Sequence, residues 1–256
     1  MLKQLFIILF VCSLCFFAKA QGPPILTDKP IMLGEKRIIL KTLTHNHVYE
    51  DASYWNVPFM AHYIITPNLL VAAHLPFASY SNNDGNSEAG LGDISTTVKY
   101  QFFRRDQSSK TFRAAIKLMQ VFPTGISTGI DEISLGEWQT HVGLTAGYEA
   151  LRYGLGVNLM YHQLGGEGDN FFMYKGSVGV PLMPLVYPPN QINLYFEYEG
   201  NIRARDGGHN LYFAQGIQYA MRRVTIETSI RVPIIKNPTM DVGLKRVHYI
   251  GARFII

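Results

Sequence analysis

Charged, amide and imidazole side chains recur in this chain at every second position of otherwise apolar stretches. Lys99 and Gln101 alternate with Val98, Tyr100 and Phe102, and Arg113 and Lys117 alternate with Phe112, Ala114, Ile116 and Leu118. His141 precedes Val142 and Leu144, while Asn158 and His162 alternate with Val157, Leu159 and Tyr161. Glu197, Glu199 and Glu227 repeat the pattern further on, and Lys41, His62, His74, Asp93, Glu149, Lys175, Asn193, Arg231 and Arg253 fall on the same side by alternation. Mixed charge gathered on one side of a sheet has two uses. It can neutralise itself as a salt-bridged plug, or it can line a polar conduit whose charges select a solute. Lys99, Arg113, Lys117, Glu197, Glu199 and Glu227 are the residues expected to set the electrostatics of such a lumen, with His141, Asn158 and His162 lining it beside them.

Other chemistry has weaker support. His45-Asn46-His47 would place two imidazoles on one face of an extended segment, and His209 falls in another connection, but no carboxylate or cysteine stands at ligand spacing beside them. No metal or cofactor is expected. A phospholipase-type barrel needs a Ser-His-Asn site on its outer wall. Here Ser134 and His141 do not share a strand face; a protease-type barrel needs acidic and His residues crowded at the loop rim, where Asp131, Glu132 and Glu137 have no His partner, so no catalytic residue is assigned. A structural or adhesive barrel, with function in its loops, is a third reading.

The elements that position these residues must be strands, because side chains point to opposite faces only at period two. Trp138, Thr140, Val142, Leu144, Ala146 and Tyr148 alternate with wetter residues, Glu149 to Arg152 turn the chain, and Tyr153, Leu155, Val157, Leu159 and Tyr161 resume the apolar face. Segments of about ten residues with aromatics near both ends have the dimensions of membrane-crossing strands. Twelve are predicted, from Gly34 to Thr44 through Lys245 to Ile256. Their connections alternate between short turns, such as Thr66 to Asn68, and longer stretches rich in Gly, Asp and Asn, such as Pro123 to Glu137. That asymmetry is the one shown by outer-membrane barrels, with both termini periplasmic.

Residues 1–20 read as an export signal: Lys3, an apolar run from Leu5 to Phe17, then Ala18-Lys19-Ala20. Cys12 and Cys15 lie inside it, so the mature domain, 21–256, has no cysteine and must be ordered by burial and backbone pairing. Without Lys3 and Lys19 the chain carries 21 basic and 19 acidic residues with no long run of either sign, which does not support a nucleic-acid partner. No later apolar run approaches the roughly 20 residues of a membrane helix, so closed strands are the remaining way to cross a bilayer. A secreted lipocalin-like barrel or sandwich would also alternate. Membership in the membrane is favoured by the polar set sharing strands with an almost unbroken apolar face, and by a strand number larger than an apolar core requires.

Gly90-Leu91-Gly92-Asp93-Ile94, continuing to Lys99-Tyr100, with Phe122-Pro123-Thr124-Gly125 after the next strand, resembles the outer-membrane barrel family named for the phenol meta-cleavage pathway. Members tend to show G-x-G-D, K-Y and L-P-T-G; Phe122 stands here in place of the Leu. Gly136-Glu137-Trp138, Val232-Pro233 and Gly251-Ala252-Arg253-Phe254 are similar in order and spacing, so the resemblance runs from Gly90 to the C-terminus. It implies an outer-membrane channel or transporter for small, often hydrophobic or aromatic solutes, and it brings no catalytic residue. The partners expected are outer-membrane lipid, a small-molecule solute and the barrel-assembly machinery, although the chain ends Phe254-Ile255-Ile256 where the usual assembly signal ends in an aromatic residue.

Overall fold

The computed structural model describes residues 23–32, 34–126, 133–165, 169–183, 190–237 and 243–256; the predicted export signal, with Asp131 and Glu132, lies outside them. Thirteen strand segments follow one another, with no described helix. They are β1 (Ile38–Val48), β2 (Ala52–Thr66), β3 (Leu69–Asn82), β4 (Ser87–Leu91), β5 (Ser95–Gln107), β6 (Lys110–Val121) and β7 (Gln139–Ala150). The second half comprises β8 (Gly154–Gln163), β9 (Phe171–Pro181), β10 (Gln191–Arg203), β11 (His209–Ala220), β12 (Val224–Ile235) and β13 (Arg246–Ile255).

All pairings are antiparallel, and β1 closes on β13 from Ile39 opposite Ile255 to Val48 opposite Arg246. Segments β4 and β5 are two halves of one barrel strand: both pair with β3, through Phe77 opposite Leu91 and through Leu69 opposite Tyr100. The result is a closed twelve-strand antiparallel barrel with no free edge, as the alternation predicts. The break between the halves explains two of the sequence motifs. Asp93, in the gap, accepts hydrogen bonds from the Thr124 and Gly125 N–H groups (3.1 and 2.9 Å) and from the Ser134 hydroxyl (2.9 Å). A Cβ on Gly125 would stand 2.9 Å from the Gly92 carbonyl carbon, so the F-P-T-G turn lies directly on the G-x-G-D turn because position 125 is glycine.

One boundary differs from expectation. The first strand was predicted over Gly34 to Thr44 but runs over Ile38–Val48. Gly34 and Lys36 hold φ of +98° and +54°, values that end an extended run, and the Lys36 N–H donates to the Ile64 carbonyl at 2.8 Å. The shift carries His45 and His47 out of the predicted outer connection and onto the wall of the lumen. Likewise His209 opens β11 and meets the Tyr174 hydroxyl at 2.9 Å.

The two faces divide as alternation requires. His141 is 6% exposed and Leu144, three residues on, is 49% exposed. Trp55, Tyr100, Trp138, Tyr153, Tyr161, Tyr198 and Tyr219 all face outward, among further exposed phenylalanines and aliphatic residues. Such an exterior requires hydrocarbon around it. Inside, twelve strands enclose more space than side chains can fill, since about eight strands is the size that wall residues alone can close. Residues Pro23–Met32, an irregular stretch before β1, pack across that space as a belt. Ile25 is buried with Leu43, Tyr195, Tyr212, Leu244, Val247 and Tyr249, and Met32 with Ile39, Ile64, Leu70 and Ala72.

Candidate functional site in the barrel lumen

The lumen is built by inward positions of the barrel strands and completed by the belt. Neighbouring inward residues share rows: Lys99 of β5 lies directly opposite Lys117 of β6, and Thr145 of β7 opposite Asn158 of β8, which is opposite Lys175 of β9. Glu199 of β10 faces that same Lys175, and Lys41 of β1 faces Arg253 of β13. Inward glycines make room for the belt. A Cβ on Gly216 would stand 2.5 Å from the Ile25 side chain.

The belt is held chiefly by its own backbone. Both carboxylate oxygens of Glu197 accept from consecutive N–H groups: Ile25 at 3.2 Å, Leu26 at 3.0 and 3.2 Å, and Thr27 at 2.6 Å. Successive amides converging on one anion form a nest, here with the anion supplied by the wall. At Asp28 the main chain pairs with Asn158 as if with another strand: the Asp28 N–H donates to Oδ1 and the Asn158 Nδ2 donates to the Asp28 carbonyl, both at 2.7 Å. The Thr145 hydroxyl donates to the same carbonyl at 2.8 Å. At the start of the belt, Gln218 donates to the Pro23 carbonyl at 2.8 Å.

Side-chain charges follow a repeating arrangement of two cations to one carboxylate. Asp28 stands 2.8 Å from Lys99 and 3.6 Å from Lys117. Glu199 is paired with Lys175 at 2.8 Å and with Arg231. Glu227 lies 3.5 Å from Lys41 and 3.3 Å from Arg253. Lys29 pairs one to one with Glu149, and Arg231 also stacks over the Tyr212 ring at 4.6 Å. Among these groups the lumen has more positive than negative charge. At the mouth where β13 ends, Arg113 meets Asp106 at 3.3 Å. On the opposite rim, the Gly208 N–H reaches Asp206 at 2.8 Å and Arg203 lies 3.2 Å away, which together hold that carboxyl below its ordinary range.

Between belt and wall lies a cavity of about 600 Å³, lined by Lys41, Lys99, Lys117, Lys175, Arg231 and Arg253 and by four imidazoles, those of His45, His47, His62 and His74. His62 and His74 stack at 5.7 Å between centroids. A smaller space of about 150 Å³ adjoins Asp28 and is lined by Met119, Met160, Met173 and His162.

The nine residues singled out for the lumen do not form one site: Lys99, His141, Asn158, His162, Glu197, Glu199 and Glu227 are buried, and Arg113 and Lys117 are half-buried. Lys99, Lys117, Asn158 and Glu197 converge on the belt. Glu199 and Glu227 belong to wall ion-pair groups, Arg113 to the mouth, and His141 and His162 contact one another through Nδ1 atoms. Ser134 donates to Asp93 and has no imidazole beside it among its described partners. The belt itself, with Asp28 and Lys29, is absent from the sequence reading. The only hint was the row of inward glycines, Gly147, Gly156 and Gly216, each now seen next to the belt.

No family model matches the sequence, and no curated protein matches it. The fold does match solved structures. The COG4313 outer membrane channel from Pseudomonas putida F1 superposes with a TM-score of 0.61 at 14% identity, over 92% of this chain and 100% of that one. The NanC porin gives 0.55 at 12% identity, and the KdgM porin 0.51 at 5%, each over 84% of this chain and 98% of its own. At such identities the likeness is one of fold: this chain is built as bacterial outer-membrane barrel channels are.

Proposed function

We propose that the protein is an outer-membrane channel for small solutes, exported by its N-terminal signal and inserted by the barrel-assembly machinery, with the belt as the part that decides whether the path is open. One observation carries the reading: a cavity of about 600 Å³, lined by six lysine and arginine side chains of the wall and four imidazoles alongside apolar residues, inside a closed barrel whose exterior is apolar. A purely structural barrel has no use for such a space, and 300–1,000 Å³ is about the size in which small molecules are held. The resemblance carried by Gly90–Asp93 and Phe122–Gly125 favours the same reading and suggests aromatic solutes. A hydrolase is disfavoured because Ser134 and His141 are each engaged elsewhere, with Asp93 and His162.

The test is planar-bilayer conductance of the refolded mature chain beside a chain lacking residues 23–32. Small, intermittent steps from the first and large, steady ones from the second are expected. Sealed bilayers with both would refute a conduit and favour the adhesive reading.

A further inference from the structure

The Lys99–Lys117 pair has an arrangement that the wall does not explain. The two residues are directly opposite in the β5–β6 ladder, on the inward face. Like charges in that relation repel. Elsewhere the wall corrects such crowding itself: Glu199 lies between Lys175 and Arg231, and Glu227 between Lys41 and Arg253, every member of both groups being a strand residue. At Lys99 and Lys117 the wall offers no acid. Among the described residues, the only carboxylate within ion-pair distance of either is Asp28, from the belt.

We propose that Lys99 and Lys117 form a subsite for the carboxylate of a small organic acid, and that Asp28 is a tethered stand-in for that solute group. This rests on the channel reading and names the solute class for it. Three features support it. The wall presents two ammonium groups side by side from adjacent strands; with the belt docked, Lys99 also donates to the Lys29 carbonyl at 3.0 Å and its side chain is 7% exposed. The Asp28 side chain is 35% exposed and lines the cavity, so the carboxylate that fills the subsite does so from the solute's side. The remaining cations on the cavity wall outnumber their carboxylates, which favours an anion throughout the volume. No covalent step is involved. A solute carboxylate replaces Asp28 on the two lysines, and the belt is loosened as it does so.

The experiment uses the full mature chain in detergent micelles, with ¹³C-carboxyl benzoate as probe and benzylammonium as a control of matched shape and opposite charge. Binding is read by NMR titration. In wild type Asp28 competes, so the apparent affinity falls by the fraction of chains with the subsite free. Asp28→Asn is expected to bind benzoate on the order of ten-fold more tightly than wild type, with a dissociation constant on the order of millimolar. The chain lacking 23–32 should behave alike, which covers the case in which Asp28→Asn does not fold; a heat-modifiable gel shift reports folding. Adding Lys99→Gln and Lys117→Gln to Asp28→Asn should abolish binding, and benzylammonium should bind to none. Benzoate affinity unchanged by Asp28→Asn or by belt removal, or retained after loss of both lysines, would overturn the proposal. Conductance separates the two readings. A barrel that conducts but does not bind benzoate refutes the subsite alone; one that binds benzoate in the predicted order but never conducts refutes the channel and leaves the carboxylate subsite standing.

Discussion

Two regions of the lumen solve the problem of buried charge differently. On the side formed by β9, β10, β12, β13 and β1, Glu199 and Glu227 find their cations on strands one or two away in the sheet, so the groups assemble whenever the barrel closes. On the side formed by β5 to β8, the wall presents two lysines without an acid; at Glu197 of β10 it presents an acid whose close partners are belt N–H groups. Both deficits are met by one ten-residue segment that is not part of the sheet. The first region therefore belongs to the stability of the barrel. The second belongs to an equilibrium between belt and wall that can shift while the barrel stays closed.

Asp28→Lys should break that distinction most strongly. It places a third ammonium beside Lys99 and Lys117, turning an attraction at a partly exposed site into like-charge repulsion of several kcal/mol, on the order of a hundred-fold in the docked fraction of the belt. Conductance should rise to that of the chain lacking 23–32, with little change in the temperature at which the barrel loses its heat-modifiable mobility. A belt that stayed docked would mean that Asp28 is incidental to it.

A paired comparison comes next. Residues 21–256 contain no cysteine, so in that chain Leu26→Cys gives a single reporter of belt exposure through maleimide labelling. In that background Glu197→Gln removes charge-assisted bonds worth about 1.5–3 kcal/mol each. Labelling should accelerate while barrel stability holds. Glu199→Gln should do the reverse, leaving Lys175 and Arg231 without their acid and lowering barrel stability by about 3–5 kcal/mol, with labelling unchanged. If both variants free the belt equally, the two regions are one network.

How much of this was legible in the sequence follows the same division. The wall was: period two over ten or more residues leaves one solution, and residues such as His141 and Leu144 could be assigned to opposite faces before any coordinates. Weak alternation misplaced β1 by four residues, because Ile38 to Thr44 reads equally well with an earlier start and only the left-handed φ at Gly34 and Lys36 ends the preceding stretch. The belt was not legible. Pro23–Met32 has no period, because its contacts run through backbone amides and carbonyls, and those are the same in every sequence. Which lysine pairs with which acid was equally hidden, since register across strands, unlike facing along one, depends on the closed barrel.

The smallest expected effect is also the one that tells how the belt is held. The Thr145 hydroxyl donates to the Asp28 carbonyl at 2.8 Å and accepts from Asn158 Nδ2 at 2.7 Å, while that same nitrogen also donates to the Asp28 carbonyl. Thr145→Val removes one of two donors from a carbonyl that keeps the other, and the side chain keeps its shape. The cost should be about 1 kcal/mol, a few-fold in labelling of Leu26→Cys, well below the effect of Glu197→Gln. Should Thr145→Val match Glu197→Gln, the neutral main-chain pairing at Asn158 and not the Glu197 charge would be the principal anchor. The belt would then answer to solutes that compete for hydrogen bonds in preference to those that carry charge.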